Sequence, residues 1–333
     1  APVLLGPYRS VVAEPISQAI ARFNMMEVVF SVRSAEFTDR EKHPNIFMAS
    51  YINNACASIK LDFMKRNGWI KASIVRMAGD YAGPEIVEAE YLKQALLDDG
   101  GFALESSHDL MPSEGSYHPP EEDVASVVQE LKEMDDKVIL TVLNVRTTAL
   151  FVCEAYKAGL LATDVLVVSG TTSPVGWHHK YIDHTRCTEE EIRLAANGTY
   201  GADYFYLRED GGTSDSGKTA EEFSSWLADL PYPEGVKTTR TSPYGYDGMY
   251  AVALALHAAA EDGMDPADFD IYRADIGDAI RAQMQKVQFE GVSGPISFHP
   301  DGSRNGRTYI YQDVFDRATN TSSRERLMDM YIP

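Results

Sequence analysis

Between residues 69 and 170 short apolar runs alternate with longer amphipathic ones, the rhythm of a parallel sheet whose strands are joined by crossover helices. WIKASIVR (69–76) reads as a strand. EIVEAEYLKQALLDDG (85–100) follows as a helix closed by glycine, and EDVASVVQELKEMD (122–135) sets Val124, Val127, Val128 and Leu131 on one helical face. KVILTVLN (137–144) and DVLVVSG (164–170) are continuous apolar strands, as in a sheet covered on both faces, with TTALFVCEAYKAGLL (147–161) as a helix between them. SPYGYDGMYAVALALHAAAED (242–262) is apolar nearly all round from Met249 to Ala260, which predicts a helix buried between other elements. SSHDLMPSEGSYHPPEED (106–123) concentrates Ser, Pro, Gly and acid and is expected to be an exposed loop.

Composition extends this to two cores. The chain has 333 residues, 44% of them hydrophobic, and a single core stops growing at roughly 250 to 300 residues. Fifty acidic residues against 30 basic ones give a net charge of −20, which repels nucleic acid and anionic lipid. No apolar run reaches about 18 residues and no signal-peptide pattern opens the sequence, so the chain reads as a soluble, mature or excised piece. Three cysteines are enough for one bridge and one leftover, and leave the redox compartment open. Two acceptor triplets, at Asn197 and Asn320, lean toward an extracellular chain carrying glycans.

Candidate chemistry is sparse. GTSDSGKT (212–219) fits the phosphate-loop pattern, with Lys218 and Thr219 in the phosphate and magnesium positions. However, Arg208, Glu209 and Asp210 stand at its entrance where a buried strand belongs, and Asp215 lies inside it. The same letters make a polar turn in which Thr219 caps a helix and Glu222 completes a capping box before Phe223, Trp226 and Leu227. WHHKYIDHTRC places His178, His179, His184 and Cys187 close together, but at spacings that fit no usual zinc site, and a polar loop explains them better. Neither a nucleophile elbow nor a dinucleotide fingerprint is present, and DPADFDIYRADIGD lacks the glycine and glutamate of a calcium loop. No enzyme, metal or cofactor is expected.

QFEGVSGPISFHPDGSRNGRTYIYQ (288–312) resembles the closing segment of type I periplasmic-binding-protein-like modules, and PVLLGPYRSVVAEPISQAIARFNM (2–25) resembles their third strand of lobe 1 with its Gly-Pro turn and helix. FVCEAYKAGLL, RCTEEE, KTAEEF and GYDGMYAVALAL, in order and at similar spacing, are similar to segments of the extracellular domain of type-B GABA receptors, members of the class C G-protein-coupled receptors. The resemblance covers essentially the whole chain. It implies a two-lobed α/β clamshell of parallel sheets flanked by helices, with 1–49 and 242–306 as lobe 1 and 50–241 and 307–333 as lobe 2. Two strand-helix units that open the family's lobe 1 have no counterpart here, so lobe 1 is expected to be incomplete at its N-terminal side.

The resemblance also implies that Cys153 and Cys187 are joined, leaving Cys56 over, and that the module is extracellular or at the cell surface. Any membrane attachment would come through segments outside this chain. The family's two ligand-holding hydroxyl positions in lobe 1 fall on Val32 and Ile52, with Arg33 and Ser34 beside the first. Its ligand-capping tyrosine falls on Val145, beside Arg146, and its amine-binding glutamate on Thr241. A charged ligand would lose hydrogen bonds at every matched position, so the amino-acid site is expected to be degenerate, with Arg33 and Arg146 as the residues able to meet an anion of another kind. The expected role is pairing with another receptor-type subunit, as a homo- or heterodimer through lobe 1, or a structural role. The alternatives are a soluble solute-binding protein for an unidentified small ligand and, less favoured, a phosphate-loop nucleotide enzyme.

Overall fold

The computed structural model describes residues 2–52, 54–79, 83–98, 101–116, 118–134, 137–162, 165–169, 175–232, 240–270 and 274–332. Contacts divide the chain into unit 1 (Ala1–Ile52, Phe205–Arg307, Tyr331–Pro333) and unit 2 (Asn53–Tyr204, Thr308–Met330). Unit 1 begins with β1 (Val3–Leu5), α1 (Ser10–Ala21), β2 (Met26–Val29) and β3 (Ile46–Met48). Unit 2 follows with α2 (Asn54–Arg66), β4 (Lys71–Met77), α3 (Gly83–Asp98), β5 (Ala103–Leu110), α4 (Glu121–Met134) and β6 (Val138–Val142). It continues through α5 (Val145–Lys157), β7 (Val165–Ser169), α6 (Glu189–Ala196) and β8 (Tyr200–Tyr204). The chain then returns to unit 1 with α7 (Ala220–Asp229), α8 (Ser242–Glu261), α9 (Ala274–Met284) and the hairpin β9 (Gln288–Gly291) and β10 (Gly294–Ser297). The long strands β11 (Gly306–Asp316) and β12 (Thr321–Ile332) close the sequence.

Both units carry parallel sheets sandwiched by helices, as the alternating pattern predicts. In unit 1 the order is β1-β2-β3, all parallel. Successive residues of a strand face opposite sides. Met26, Val28 and Phe47 therefore meet Ala251, Ala255 and Ala259 of α8 and Ile276 and Ile280 of α9, while Val29, Ile46 and Met48 pack with Ala13 of α1, Val32 and Phe37. In unit 2 the order is β12-β11-β8-β7-β6-β4-β5, parallel from β8 to β5 and antiparallel between β8 and β11. Ala72, Ile74, Val138 and Leu140 pack on α2 and α3; Val75, Met77 and Ile139 pack on α4, α5 and α6. Val124, Val127, Val128 and Leu131 are the four buried residues of α4, the face read from their spacing.

Burial also takes in charge. Lys60 of α2 and Glu88 of α3, both fully buried, pair at 2.6 Å. In unit 2 Arg324 donates to Asp313 at 3.0 Å, lies 3.4 Å over the Tyr311 ring, and Asp313 also accepts from Trp177 Nε1 at 2.8 Å. In unit 1 the Asp247 carboxylate of α8 accepts from the N–H groups of Val292 (2.9 Å) and Ser293 (2.8 Å) and from the Ser293 hydroxyl. Arg304 answers from the other side, donating to Ala49 O at 2.9 Å, Ser293 Oγ at 2.8 Å and Pro295 O at 3.0 Å, with its guanidinium 4.6 Å over the Tyr51 ring. A Cβ at position 291 would collide with the Asp247 carboxylate, which is why the turn of Gly-Val-Ser-Gly opens with glycine.

Three sequence expectations change. Residues 106–110 are not loop but the end of β5, an edge strand paired with β4, in which Arg76 holds Asp109 at 2.6 Å; the loop proper is 111–120. Helix α8 is not buried all round: Met249, Ala253 and His257 form an exposed outer face, because its inward side is already filled by alanines and glycine. Residues 205–241, expected with lobe 2, group with unit 1. The Tyr244 hydroxyl donates to Phe205 O at 2.8 Å, Arg208 N to Val292 O at 2.9 Å and Asp215 N to Glu290 O at 2.7 Å, all within that unit. Asp164 and Gly170, at the ends of the strand expected at 164–170, and Gly100, the expected helix stop, lie outside the described residues. Among the described residues no helix is long and apolar enough to cross a membrane.

Cys153 of α5 and Cys187 form a disulfide with their Cα atoms 5.9 Å apart, beside Ile192, while Cys56 is buried and free. Mass spectrometry after alkylation is expected to find no modified cysteine in the native protein, Cys56 alone after denaturation without reductant, and all three cysteines of the sequence after reduction.

Glu27 of β2 is fully buried on the α1 side of its sheet, neither carboxylate oxygen has a hydrogen-bond partner among the described residues, and burial pushes its pKa from 4.5 up to about 8. The folded state thus keeps a proton that the unfolded chain releases. Its contribution is fully present below pH 4.5 and is lost as pH rises through about 8, at up to about 1.4 kcal/mol per pH unit. Glu27→Gln is expected to flatten the fall in denaturant midpoint between about pH 6 and pH 8; an unchanged slope would show that the carboxyl is already ionised.

Candidate functional site

The phosphate-loop letters fold as a capped turn. Ser214 N and Oγ both donate to Lys218 O, at 2.9 and 2.7 Å, and Glu290 N donates to Asp215 Oδ2 at 3.0 Å. The turn is thereby fastened to β9. Thr219 then caps α7: Glu222 N donates to its hydroxyl at 3.1 Å and Thr219 N to the Glu222 carboxylate at 2.9 Å, the reciprocal box read from Thr-x-x-Glu. Lys218 extends over the Trp226 ring, 5.8 Å from its centre. Two carboxylates, Asp210 and Asp215, stand in this turn, and hydrogen bonds from Arg208 and from Gly212 N hold Asp210 well below the usual carboxylate range. Lys218→Ala is expected to leave the thermal midpoint indifferent to magnesium ATP, as in the parent; a nucleotide-dependent rise that this substitution removes would restore the phosphate-loop reading.

The histidine-rich segment forms a short 3-10 stretch, Trp177–His184. His178 is buried and burial holds its pKa down to about 3, His184 is exposed, and Cys187 is committed to the disulfide. Among the described residues no group of three or more His, Cys, Asp or Glu is arranged to hold a metal.

The family-matched positions divide between the units. Val32, Arg33, Ser34, Ile52 and Thr241 belong to unit 1; Val145 and Arg146 belong to unit 2. Val32 has no exposed surface and sits in the cluster of Ala13, Phe37 and Met48, with Ile52 packed against it; its carbonyl accepts from Ser50 Oγ at 2.8 Å. Ser34, also buried, precedes a 3-10 turn (Ala35–Thr38) without donating or accepting a side-chain cap bond, and Thr241 stands likewise at the start of α8. Arg33 is not a solvated surface residue: it is 9% exposed and lies 5.6 Å from the Tyr206 ring centre, with Arg240 stacked 3.9 Å from the same ring. Tyr206 in turn packs on Tyr244, which meets Tyr51 edge-on. The sequence reading named Arg33 but missed the arginine and tyrosine group around it, because its members lie far apart in the chain. In unit 2 Val145 packs against the core under α4 and α5, whereas Arg146 turns away to line a cavity.

The sequence profile of the receptor family ligand binding region matches residues 2–313. The chain belongs to that family. As a receptor ligand-binding region it carries the helix-flanked parallel sheets expected of the type I periplasmic-binding-protein-like fold. Its similarity to individual receptors is modest. It is 23% identical over 316 residues to mouse gamma-aminobutyric acid type B receptor subunit 1, covering 93% of this chain and 32% of that protein. It is 21% identical over 300 residues to rat subunit 2, covering 87% and 30%, and 24% identical over 301 residues to Caenorhabditis elegans subunit 2, covering 89% and 33%. The ligand-binding region thus spans about a third of the length of the curated relatives it matches.

Proposed function

We infer that this chain is an extracellular or cell-surface ligand-binding-type module of a type-B GABA receptor-like protein whose amino-acid site is degenerate, and whose work is to pair with another receptor-type subunit or to serve as a structural partner. The supporting observation is the fully buried Val32, in an apolar cluster with Ile52 against it, at the positions where the resemblance puts ligand-holding hydroxyls. An ammonium or carboxylate brought there would lose its hydrogen bonds to water and gain none from these side chains, a cost of roughly 2 to 7 kcal/mol per unsatisfied polar group. Pairing through unit 1 is supported by its first helix, which leaves Val11 65% and Val12 43% exposed beside Tyr8 at 48%. The exposed Asn197 and Asn320 and the disulfide fit passage through an oxidising secretory route.

Isothermal titration of the chain with GABA and with glutamate is expected to show no binding below the millimolar range, and micromolar binding by either would overturn the degenerate-site reading. The pairing role has its own check, the protomer mass by sedimentation equilibrium alone and with a receptor-type partner. A monomer in every mixture would remove that role and leave the solute-binding alternative.

A further inference from the structure

The cavity lined by Arg146 lies wholly within unit 2, between the loop before α4, the first turns of α5 and the end of the 3-10 stretch at residues 183–185. Its volume of about 310 Å³ sits at the lower end of the range of small-molecule sites. Pro119 and Leu150, both buried, supply apolar lining. The polar lining converges from three elements: His118 from the loop, Thr147 from α5, and His184 and Thr185 from the 3-10 end. The ring Nδ1 of His118 lies 3.5 Å from Thr147 Oγ1.

Arg146 makes no ion pair or side-chain hydrogen bond among the described residues. Arg9, Arg22 and Arg317 share that lack of a partner but are exposed, whereas Arg146 is half-buried. Other arginines of unit 2 are held by carboxylates, Arg76 by Asp109 at 2.6 Å, Arg186 by Glu154 at 2.6 Å and Arg324 by Asp313 at 3.0 Å. With 50 acidic residues available, a half-buried guanidinium facing a cavity has been left open to a partner from outside. Of the two carboxylates on the cavity wall, Glu121 is drawn off by Arg186. Asp183 stays at the exposed rim, where it opposes a doubly charged ligand more than a singly charged one.

We propose that this cavity binds a small carboxylate-bearing molecule as a monoanion, held by the fork of the Arg146 guanidinium with the His118 and Thr147 side chains beside it. A planar guanidinium matches a carboxylate with two parallel hydrogen bonds, and the positive end of α5, a helix of 13 residues, lies in the same wall. The apolar lining from Leu150 and Pro119 receives the ligand's carbon atoms. The site stands on the geometry of unit 2 alone, so its failure leaves the module reading above untouched.

The groups facing His118 are Arg146 from α5, His184 from the 3-10 end, and Glu121 and Asp183 on the wall. Burial first, and then Arg146 and His184, hold the His118 pKa below its ordinary value. An anion seated on Arg146 cancels part of that repulsion and must raise it. The test follows the His118 ring resonance of the full chain by NMR, identified by its loss in His118→Gln. Sodium acetate and inorganic phosphate are titrated against sodium chloride at matched ionic strength. Acetate is expected to shift the resonance saturably, to move the His118 titration to higher pH, and to bind more tightly than phosphate; Arg146→Gln is expected to weaken acetate by about tenfold or more. A response equal to that in chloride, tighter binding of phosphate, or an unweakened response in a folded Arg146→Gln would each overturn the proposal. Should that variant fail to fold, the comparison of acetate with chloride in the parent decides alone.

Discussion

The buried pairing of Asp247 with the 291–304 segment is the constraint on which unit 1 depends. A carboxylate enclosed by protein is strongly disfavoured unless its lone pairs are filled, and burial does raise the Asp247 pKa. Here two backbone N–H groups and a hydroxyl fill them, with the Arg304 guanidinium supplying the counter-charge. That arrangement joins the second turn of α8, the tip of the β9 and β10 hairpin and Ala49 just after β3. Removing one partner would leave the other's charge uncompensated inside the protein, at a cost of about 3 to 5 kcal/mol. The glycine and arginine in the closing motif are therefore explained by sterics and electrostatics within the unit, without any appeal to a ligand.

Unit 2 is held by a similar device in a different place. Its sheet runs parallel from β8 to β5, and its last two strands attach antiparallel to β8. Arg324 crosses from β12 to Asp313 of β11 and covers the Tyr311 ring, while Trp177, at the start of the 3-10 stretch, donates to the same carboxylate. Asp313 consequently serves two donors at once, which fixes the 3-10 stretch beginning at Trp177 relative to the sheet. The end of that stretch forms one wall of the Arg146 cavity.

What could be read from the sequence follows the range of the forces involved. The buried face of α4 and the Thr219 and Glu222 capping box depend on residues three or four positions apart, and both were legible. The disulfide was legible only through family resemblance, since 34 residues separate its cysteines. Strand β5 was hidden because an edge strand with one neighbour tolerates Ser106, Ser107 and His108, letters that otherwise spell loop. The exposed side of α8 was hidden because alanine is apolar in composition yet too small to demand burial. By contrast, the arginine and tyrosine group of Arg33, Tyr206 and Arg240 and the cavity of His118, Arg146 and Thr185 draw on segments far apart in the chain, and no local pattern announces them.

The chain's route between its units has a consequence for biosynthesis. Unit 1 is opened by residues 1–52 and cannot be completed until α8, α9 and the hairpin up to Arg307 have emerged from the ribosome. Unit 2 is nearly finished at Tyr204 but waits for Thr308–Met330 to cover the edge of β8. The two units are thus interleaved in synthesis, and β8 spends the intervening hundred or so residues of translation, about 5 to 20 s at 5 to 20 residues per second, with an unpaired edge. Pairing across such sequence distances is slow and open to misassembly. The exposed charges of β12, Glu325, Arg326 and Asp329, then end the sheet in a strand poorly suited to recruiting another.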